Sequence, residues 1–152
     1  MTAMKRRLRL PVLLLCVTIA GCETYIAEDR YPTLADAKAD HLFERGWLPD
    51  LLPPSSVDIH TVNNLDASTS TGSFRFMPSE GSLLFGKLVA GAPADAPISD
   101  WPEMLADYRQ RGFTAWSHRE GDGHWVFFCL ASAGKCEYTM WSTRWQRSAP
   151  GR

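Results

Sequence analysis

The hydrophobic positions of this chain follow three patterns in succession, and each pattern predicts a different kind of element. Apolar residues are contiguous near the start, recur at helical spacing in the middle and alternate with polar residues toward the end. Helical spacing indicates an amphipathic helix, and strict alternation indicates a half-buried strand. The patterns predict helices over 34–45, 79–88 and 101–111, and strands over 57–62, 73–77, 113–117, 124–131 and 136–145.

These elements predict an α+β fold. Strands dominate the second half of the chain, and most of them are joined by short turns that favour antiparallel pairing. We expect one domain with an antiparallel sheet of four or five strands and two or three helices packed on one face.

The first helix has clear boundary residues. Thr33 and Asp36 have the spacing of a capping box, and Gly46 suits a left-handed C-cap. Three prolines between residues 49 and 54 prevent the helix from continuing, so an extended apolar segment should follow and pack on the domain. The small polar residues 67–72 are predicted as a loop.

The last two predicted strands form a hairpin whose register follows from two cysteines. Cys129 and Cys136 flank a turn centred on residues 132–133. If these cysteines face each other, then six apolar side chains share one face: Trp125, Phe127, Cys129, Cys136, Tyr138 and Met140. In an oxidising compartment the pair should form a disulfide. Free thiols are the alternative, whereas a redox or metal role is disfavoured because the spacing is not Cys-x-x-Cys and no second pair exists.

The opposite face of this hairpin is more apolar than solvent contact requires. It carries Val126, Phe128, Leu130 and Trp141, and Trp145 extends it. The first helix or residues 47–54 would cover this face in one interpretation. In the other interpretation the face is exposed and contacts a partner or ligand.

The start of the chain has the features of an export signal. Four basic residues precede an apolar run over 10–20, about half of the ~20 residues that a membrane-spanning helix needs. The run ends in Ile19-Ala20-Gly21-Cys22, which resembles the lipobox of bacterial lipoprotein precursors. The resemblance implies cleavage before Cys22 and a diacylglycerol on its sulfur. The alternatives are an ordinary cleaved signal and an uncleaved anchor.

Four segments follow from this interpretation: 1–21 as signal peptide, 22–32 as lipidated tether, 33–147 as folded domain and 148–152 as a frayed tail. Glu23 stands where an Asp often marks inner-membrane retention in lipoproteins of enteric-type bacteria. We therefore expect the periplasmic face of the outer membrane rather than the inner membrane.

The charge of the processed chain excludes one class of partner. Of the 16 Lys and Arg residues, four lie in the signal segment, so 12 remain against 17 Asp and Glu, a balance of −5. A nucleic-acid binder needs a basic surface, and none is expected here. An acidic surface also repels anionic lipid headgroups, so the lipid on Cys22 should supply the membrane attachment.

Two groups of polar residues are candidates for chemistry. Asp58, His60, Asn64 and Asp66 combine the carboxylate and imidazole groups that acid–base catalysis uses, although such residues also stabilise turns. His118, Asp122 and His124 bracket another turn, but a lasting zinc site usually has three or four protein ligands, and a solvated turn is favoured. We expect neither a metal nor a cofactor.

A run in the first half resembles the YbbD head domain family, which occurs in small proteobacterial secreted proteins and lipoproteins. The matching residues lie within about 43–77: Gly46-Trp47-Leu48-Pro49, Leu52-Pro53, Asp58-Ile59-His60, Asn64-Leu65-Asp66 and Phe74-Arg75-Phe76. The resemblance implies a small α+β domain and brings no catalytic residues with it.

Together these features favour a lipid-anchored envelope protein that binds a partner or ligand without catalysis. The membrane would be one partner, through the lipid, and an envelope protein or ligand the other. The alternative is a small periplasmic hydrolase that uses Asp58, His60 and Asp66.

Overall fold

The computed structural model describes residues 24–143. The predicted signal, Cys22, Trp145 and the tail at 148–152 lie outside this range. The described strands are β1 Ile26–Thr33, β2 Val57–Asn64, β3 Thr69–Arg75, β4 Val89–Ala90, β5 Thr114–Glu120, β6 Gly123–Leu130 and β7 Lys135–Ser142. The α-helices are α1 Leu34–Ala39, α2 Gly81–Phe85 and α3 Trp101–Gln110, and 3₁₀ turns occupy Pro78–Glu80 and Ala131–Ala133. Within 24–143, none of the helices has the length and apolar character needed to cross a bilayer.

All seven described strands form a single antiparallel sheet in the order β1-β2-β3-β7-β6-β5-β4. The predicted α+β fold with four or five strands is therefore wrong. The helices have only 6, 5 and 10 residues, so the architecture is mostly β.

The two strands that the sequence did not predict are β1, which is polar, and β4, which is very short. Residues 26–32 were assigned to the tether, but Ile26–Thr33 pairs along β2 as an edge strand. Its charged side chains and Pro32 are what an exposed sheet edge tolerates. Most of the predicted loop at 67–72 is also strand, because β3 begins at Thr69, and β4 is a two-residue edge strand.

The terminal hairpin has the predicted register. Cys129 lies opposite Cys136, Phe127 opposite Tyr138 and Trp125 opposite Met140. The two cysteines form the predicted disulfide. One face of the sheet, here called the cysteine face, therefore carries the six predicted apolar side chains, and five of them are at least 96% buried: Trp125, Phe127, Cys129, Cys136 and Tyr138.

The cysteine face is covered by α1, by α2 and by residues 40–56. The capping box of α1 forms as predicted, with Thr33 Oγ1 accepting from the Asp36 amide and Asp36 accepting from the Thr33 amide. The helix ends at Ala39 instead of residue 45, because His41 adopts a left-handed φ of 56° that no helix can include. Gly46 has the predicted left-handed conformation, with φ 78°.

The opposite face, called the α3 face, is buried under α3. Val126, Phe128 and Trp141 are each at most 5% exposed, and Leu130 is half-buried beside them. The ring of Tyr108 stacks on Phe128 with centroids 3.8 Å apart. The expectation of helices on one face only is therefore wrong, since α1 and α3 lie on opposite faces.

The same burial corrects the predicted interaction surface. Val126, Phe128, Leu130 and Trp141 form a core with α3 and are not an exposed patch. The cover is also not the predicted one, because α1 and residues 47–54 pack on the cysteine face. Helix α3 was expected on the cysteine face with α1. Its apolar residues instead pack against Val126, Phe128 and Trp141 on the α3 face.

Polar bonds also hold α3 in place. The Tyr108 hydroxyl donates to Glu137 Oε2 at 2.8 Å, and Lys135 Nζ lies 2.8 Å from Glu137 Oε1. Partial burial alone would raise the pKa of Glu137, but the bonds from Lys135 and Tyr108 outweigh it and lower the pKa. Glu137 thus remains a carboxylate that holds α3 to β7 through Tyr108.

The disulfide should contribute measurably to stability. Replacing both Cys129 and Cys136 by Ser removes a short covalent loop, and we expect the free energy of unfolding to fall by about 2–3 kcal/mol. Urea unfolding followed by tryptophan fluorescence measures this change. Reduced wild-type protein is the matched control and should unfold at the same urea concentration as the double variant. A loss below about 0.5 kcal/mol in both would contradict the prediction.

Candidate functional site

Two residues of the candidate polar site, Asp58 and His60, point to separate partners. The β2–β3 register is irregular between Val57 and His60, and Asp58 has a left-handed φ of 51°. The Asp58 carboxylate lies 3.4 Å from an Arg75 nitrogen in solvent. His60 Nε2 lies instead 2.9 Å from Glu28 Oε1 on the neighbouring strand.

The other two, Asn64 and Asp66, stabilise the turn between β2 and β3. The side chain of Asn64 accepts from the Ala67 amide at 2.9 Å, and Asp66 Oδ2 accepts from the Tyr25 amide at 2.9 Å. The bond from Asn64 is the local turn-stabilising kind that Asn commonly makes, whereas the bond from Asp66 joins the turn to the residue before β1. The four polar residues therefore do not converge on one reacting group.

The two histidines of the β5–β6 hairpin also fail to form a site. His118 lies opposite Trp125, on the cysteine face, whereas His124 lies opposite Trp141, on the α3 face. His124 stacks on Trp141 at 5.4 Å, and burial lowers the pKa of this imidazole. Among residues 24–143 no three histidine, cysteine or acidic side chains are grouped to hold a metal ion.

A cleft of about 620 Å³ opens on the cysteine face, between residues 43–50 and the β5–β6 turn. Its walls and floor come from three parts of the chain: Phe43 to Asp50, Ser68, and Glu120 to Gly123 with Trp125, Met140 and Ser142. Trp125 and Met140 are at most 5% exposed, so they form a rigid floor. A concavity of this size is in the range of small-ligand sites.

The first wall of the cleft is held to the sheet by a tryptophan bond. The indole N–H of Trp125 donates to the carbonyl of Trp47 at 3.0 Å. Leu48 and Pro49 behind it are buried. This bond crosses 78 residues of sequence and joins the wall directly to the floor.

The start of the same wall is fixed by a polar cluster of three side chains. Arg45 donates to the Tyr31 hydroxyl and to Asp40 Oδ2, both at 2.7 Å, and Tyr31 donates to Asp40 Oδ2 at 2.6 Å. Burial raises the pKa of Tyr31 to about 12, and the bond to Asp40 adds to the shift. The bond from Tyr31 is also the main reason that the pKa of Asp40 lies below its ordinary value.

The lining of the cleft combines aromatic surface with negative charge. Phe43 and Trp47 are half-buried, while Glu44, Asp50 and Glu120 are exposed around the opening. Arg45 is the basic side chain in the lining, and it is committed to Tyr31 and Asp40. Lys38 lies beside the lining, with its Nζ 3.2 Å from Asp50 Oδ1, so Glu44 and Glu120 carry most of the negative charge at the opening. Aromatic faces and carboxylates both attract cations, so the cleft suits a ligand with an apolar part and a positive charge.

Sequence reasoning did not find this cleft. Its walls come from residues 43–50 and 120–123, and only the folded sheet brings these segments together. No local spacing relates them. The nearest signal was the proline-containing segment 47–54. It packs on the domain as expected, but it forms bends and turns instead of an extended run, and it was assigned no site.

One comparison with known proteins gives a match. Residues 26–75 are similar to the YbbD head domain family, which extends the predicted resemblance at 43–77 back to the start of β1. The match covers 50 of 152 residues, about a third of the chain. No curated protein and no solved structure matched.

The matched residues form a definable part of the molecule. They span β1 to β3 with α1 between them, and they supply the wall at 43–50 and Ser68. The β5–β6 turn and the floor lie beyond the match. The cleft therefore lies between the family-like part and the terminal strands.

Loss of Arg45 should loosen the cleft wall without unfolding the sheet. Arg45→Met removes two charge-assisted bonds to Tyr31 and Asp40, and we expect amide exchange over residues 43–50 to accelerate about tenfold. Hydrogen–deuterium exchange with mass spectrometry measures this rate. Arg109→Met, at an exposed position of α3, is the control and should leave the segment unchanged. Equal exchange in both variants would show that the cluster does not hold the wall.

Stability at alkaline pH should depend on Tyr31. Its pKa is about 12 in the folded protein against an ordinary value of 10.0, so its contribution is complete below pH 10 and is lost as the pH rises through about 12. Tyr31→Phe should cost about 1.5 kcal/mol at neutral pH. The gap to wild type should then shrink between pH 10 and 12 in urea unfolding. A gap that stays constant over this range would contradict the assignment.

Proposed function

We propose that this protein is a lipid-anchored, non-enzymatic envelope protein that binds a cationic, partly apolar ligand or peptide segment in the cleft. The observation that carries the proposal is the cleft itself. It has a buried floor of Trp125 and Met140, an aromatic wall held by Arg45 and Trp125, and a rim of exposed carboxylates.

The similarity to the YbbD head domain family over residues 26–75 supports an envelope-type protein. The anchor rests on the lipobox resemblance at Ile19-Ala20-Gly21-Cys22. Two or three acyl chains on one cysteine give nearly permanent attachment, since each buried methylene contributes about 0.8 kcal/mol.

The disulfide supports a location outside the cytoplasm. Bonds such as Cys129–Cys136 persist in oxidising compartments and are rare where glutathione keeps thiols reduced. Glu23 after the proposed lipidation site favours the outer membrane, as the sequence predicted. The balance of −5 in the processed chain favours a cationic partner over a nucleic acid.

A binding role fits the geometry better than hydrolysis. A hydrolase needs a nucleophile or base directed at one point in a pocket. Asp58, His60 and Asp66 each bond to a different partner, and none of them lines the cleft.

Charge reversal at the rim should weaken ligand contact. A benzoylphenylalanine introduced at Glu44 should form an adduct on illumination of intact cells. Asp50→Lys in the same chain should reduce the adduct yield about fivefold, because it reverses a rim charge and leaves Lys38 without its carboxylate partner. The yield is measured by mass spectrometry of the purified protein. Asp95→Lys, in an exposed loop away from the cleft, is the matched control.

Two results would refute the cleft as the binding site. One is an adduct yield that Asp50→Lys leaves unchanged, and the other is an equal loss with Asp95→Lys. The anchor has its own control, because Cys22→Ser should abolish incorporation of labelled palmitate and release the protein from membranes.

A further inference from the structure

Three exposed apolar side chains lie together where β1 begins. Tyr25, Ile26 and Leu65 are 65%, 51% and 41% exposed, respectively. The Leu65 amide donates to the Tyr25 carbonyl at 3.1 Å, and Ile26 lies opposite Asn64 in the β1–β2 ladder. Backbone pairing therefore holds the three residues side by side at this end of the sheet, with Tyr25 and Leu65 on one face and Ile26 on the other. They are here called the N-terminal patch.

The N-terminal patch is very close in sequence to Cys22. Only residues 23 and 24 separate that cysteine from Tyr25, and the chain between them reaches at most about 11 Å. A flexible tether through residue 32 would have allowed about 35 Å. Because residues 26–33 are paired in the sheet, the patch cannot move far from whatever holds Cys22.

We propose that the N-terminal patch is the surface on which the domain rests on a bilayer of zwitterionic phospholipid. This inference rests on the proposed lipid at Cys22. A tyrosine prefers the headgroup region, where its ring is partly apolar and its hydroxyl stays wet. Ile26 and Leu65 add aliphatic surface beside the tyrosine. Burying this surface in the bilayer removes it from water, which is favourable.

The negative charge near the patch favours a zwitterionic lipid headgroup over an anionic one. Asp66 lies directly beside Leu65, and its carboxylate bonds to the Tyr25 amide. The processed chain carries a balance of −5. Anionic headgroups would be repelled by these charges, whereas phosphatidylethanolamine carries no net charge and offers an ammonium group to a nearby carboxylate.

A second exposed leucine provides a matched control at the other end of the sheet. Leu83 in α2 is 49% exposed, slightly more than Leu65. The turn at 65–68 precedes β3, and α2 follows the opposite end of that strand. Seven residues of extended chain separate the two ends by about 20 Å.

The test uses the full-length lipoprotein with benzoylphenylalanine at Leu65, at Tyr25 or at Leu83. Each protein is purified from membranes and reconstituted in vesicles of labelled phosphatidylethanolamine with a minority of phosphatidylglycerol. Illumination should attach labelled lipid to the Leu65 and Tyr25 positions at least about fivefold more than to Leu83, given the separation along β3. The Tyr25 variant is an aromatic replacement and remains informative if the Leu65 variant is poorly folded.

The outcomes separate the inference from the function on which it rests. If labelled palmitate is present on the protein and lipid crosslinks are equal at Leu65 and Leu83, then the anchor stands and the bilayer contact is overturned. Crosslinks from Leu65 to a protein instead of lipid also overturn it. If no palmitate is incorporated, the proposed anchor fails and the bilayer contact fails with it.

Discussion

The register of the β6–β7 hairpin is the constraint on which the rest of the structure depends. Side chains in a strand alternate between two faces, so pairing Cys129 with Cys136 decides which residues lie on each side of the sheet. Both resulting faces of this hairpin are apolar, with Phe127 on one and Phe128 on the other, and both are buried. A sheet that is apolar on two faces needs two covers. Residues 34–56 and α2 supply one cover, and α3 supplies the other.

The sequence was informative where contacts are local. Cys129 and Cys136 are seven residues apart, so alternation and spacing were sufficient to predict the hairpin, its register and its disulfide. The capping box at Thr33 and the left-handed Gly46 are local as well. The face on which α3 packs could not be predicted from local spacing in this way. Its stripe fits either apolar face, and only the competing cover from residues 34–56 decides between them.

Residues 69–72 show why β3 was partly taken for a loop. Ser70 is buried, and its hydroxyl donates to Asn63 at 2.7 Å and lies 3.1 Å from the Tyr138 hydroxyl. A side chain at Gly72 would meet the ring of Tyr138 and the carbonyl of His60. Small residues are needed here because β2 and β7 approach β3 closely. Their polar composition is instead typical of a loop, so the strand was not predicted. The candidate cleft escaped prediction for the same reason, because its walls meet only through the sheet.

The cleft and the N-terminal patch lie at the same end of the molecule. The Ser142 amide donates to the Ser68 carbonyl, and the Thr143 amide donates to the Asp122 carbonyl, so the end of β7 joins the turns at 65–68 and 121–122. Ser68 lines the cleft, and Leu65 belongs to the patch three residues earlier. A domain resting on the patch would hold the cleft close to the bilayer surface. Its acidic rim would then meet a cationic ligand at the membrane boundary, where the short link to Cys22 restricts both the distance and the orientation of the domain.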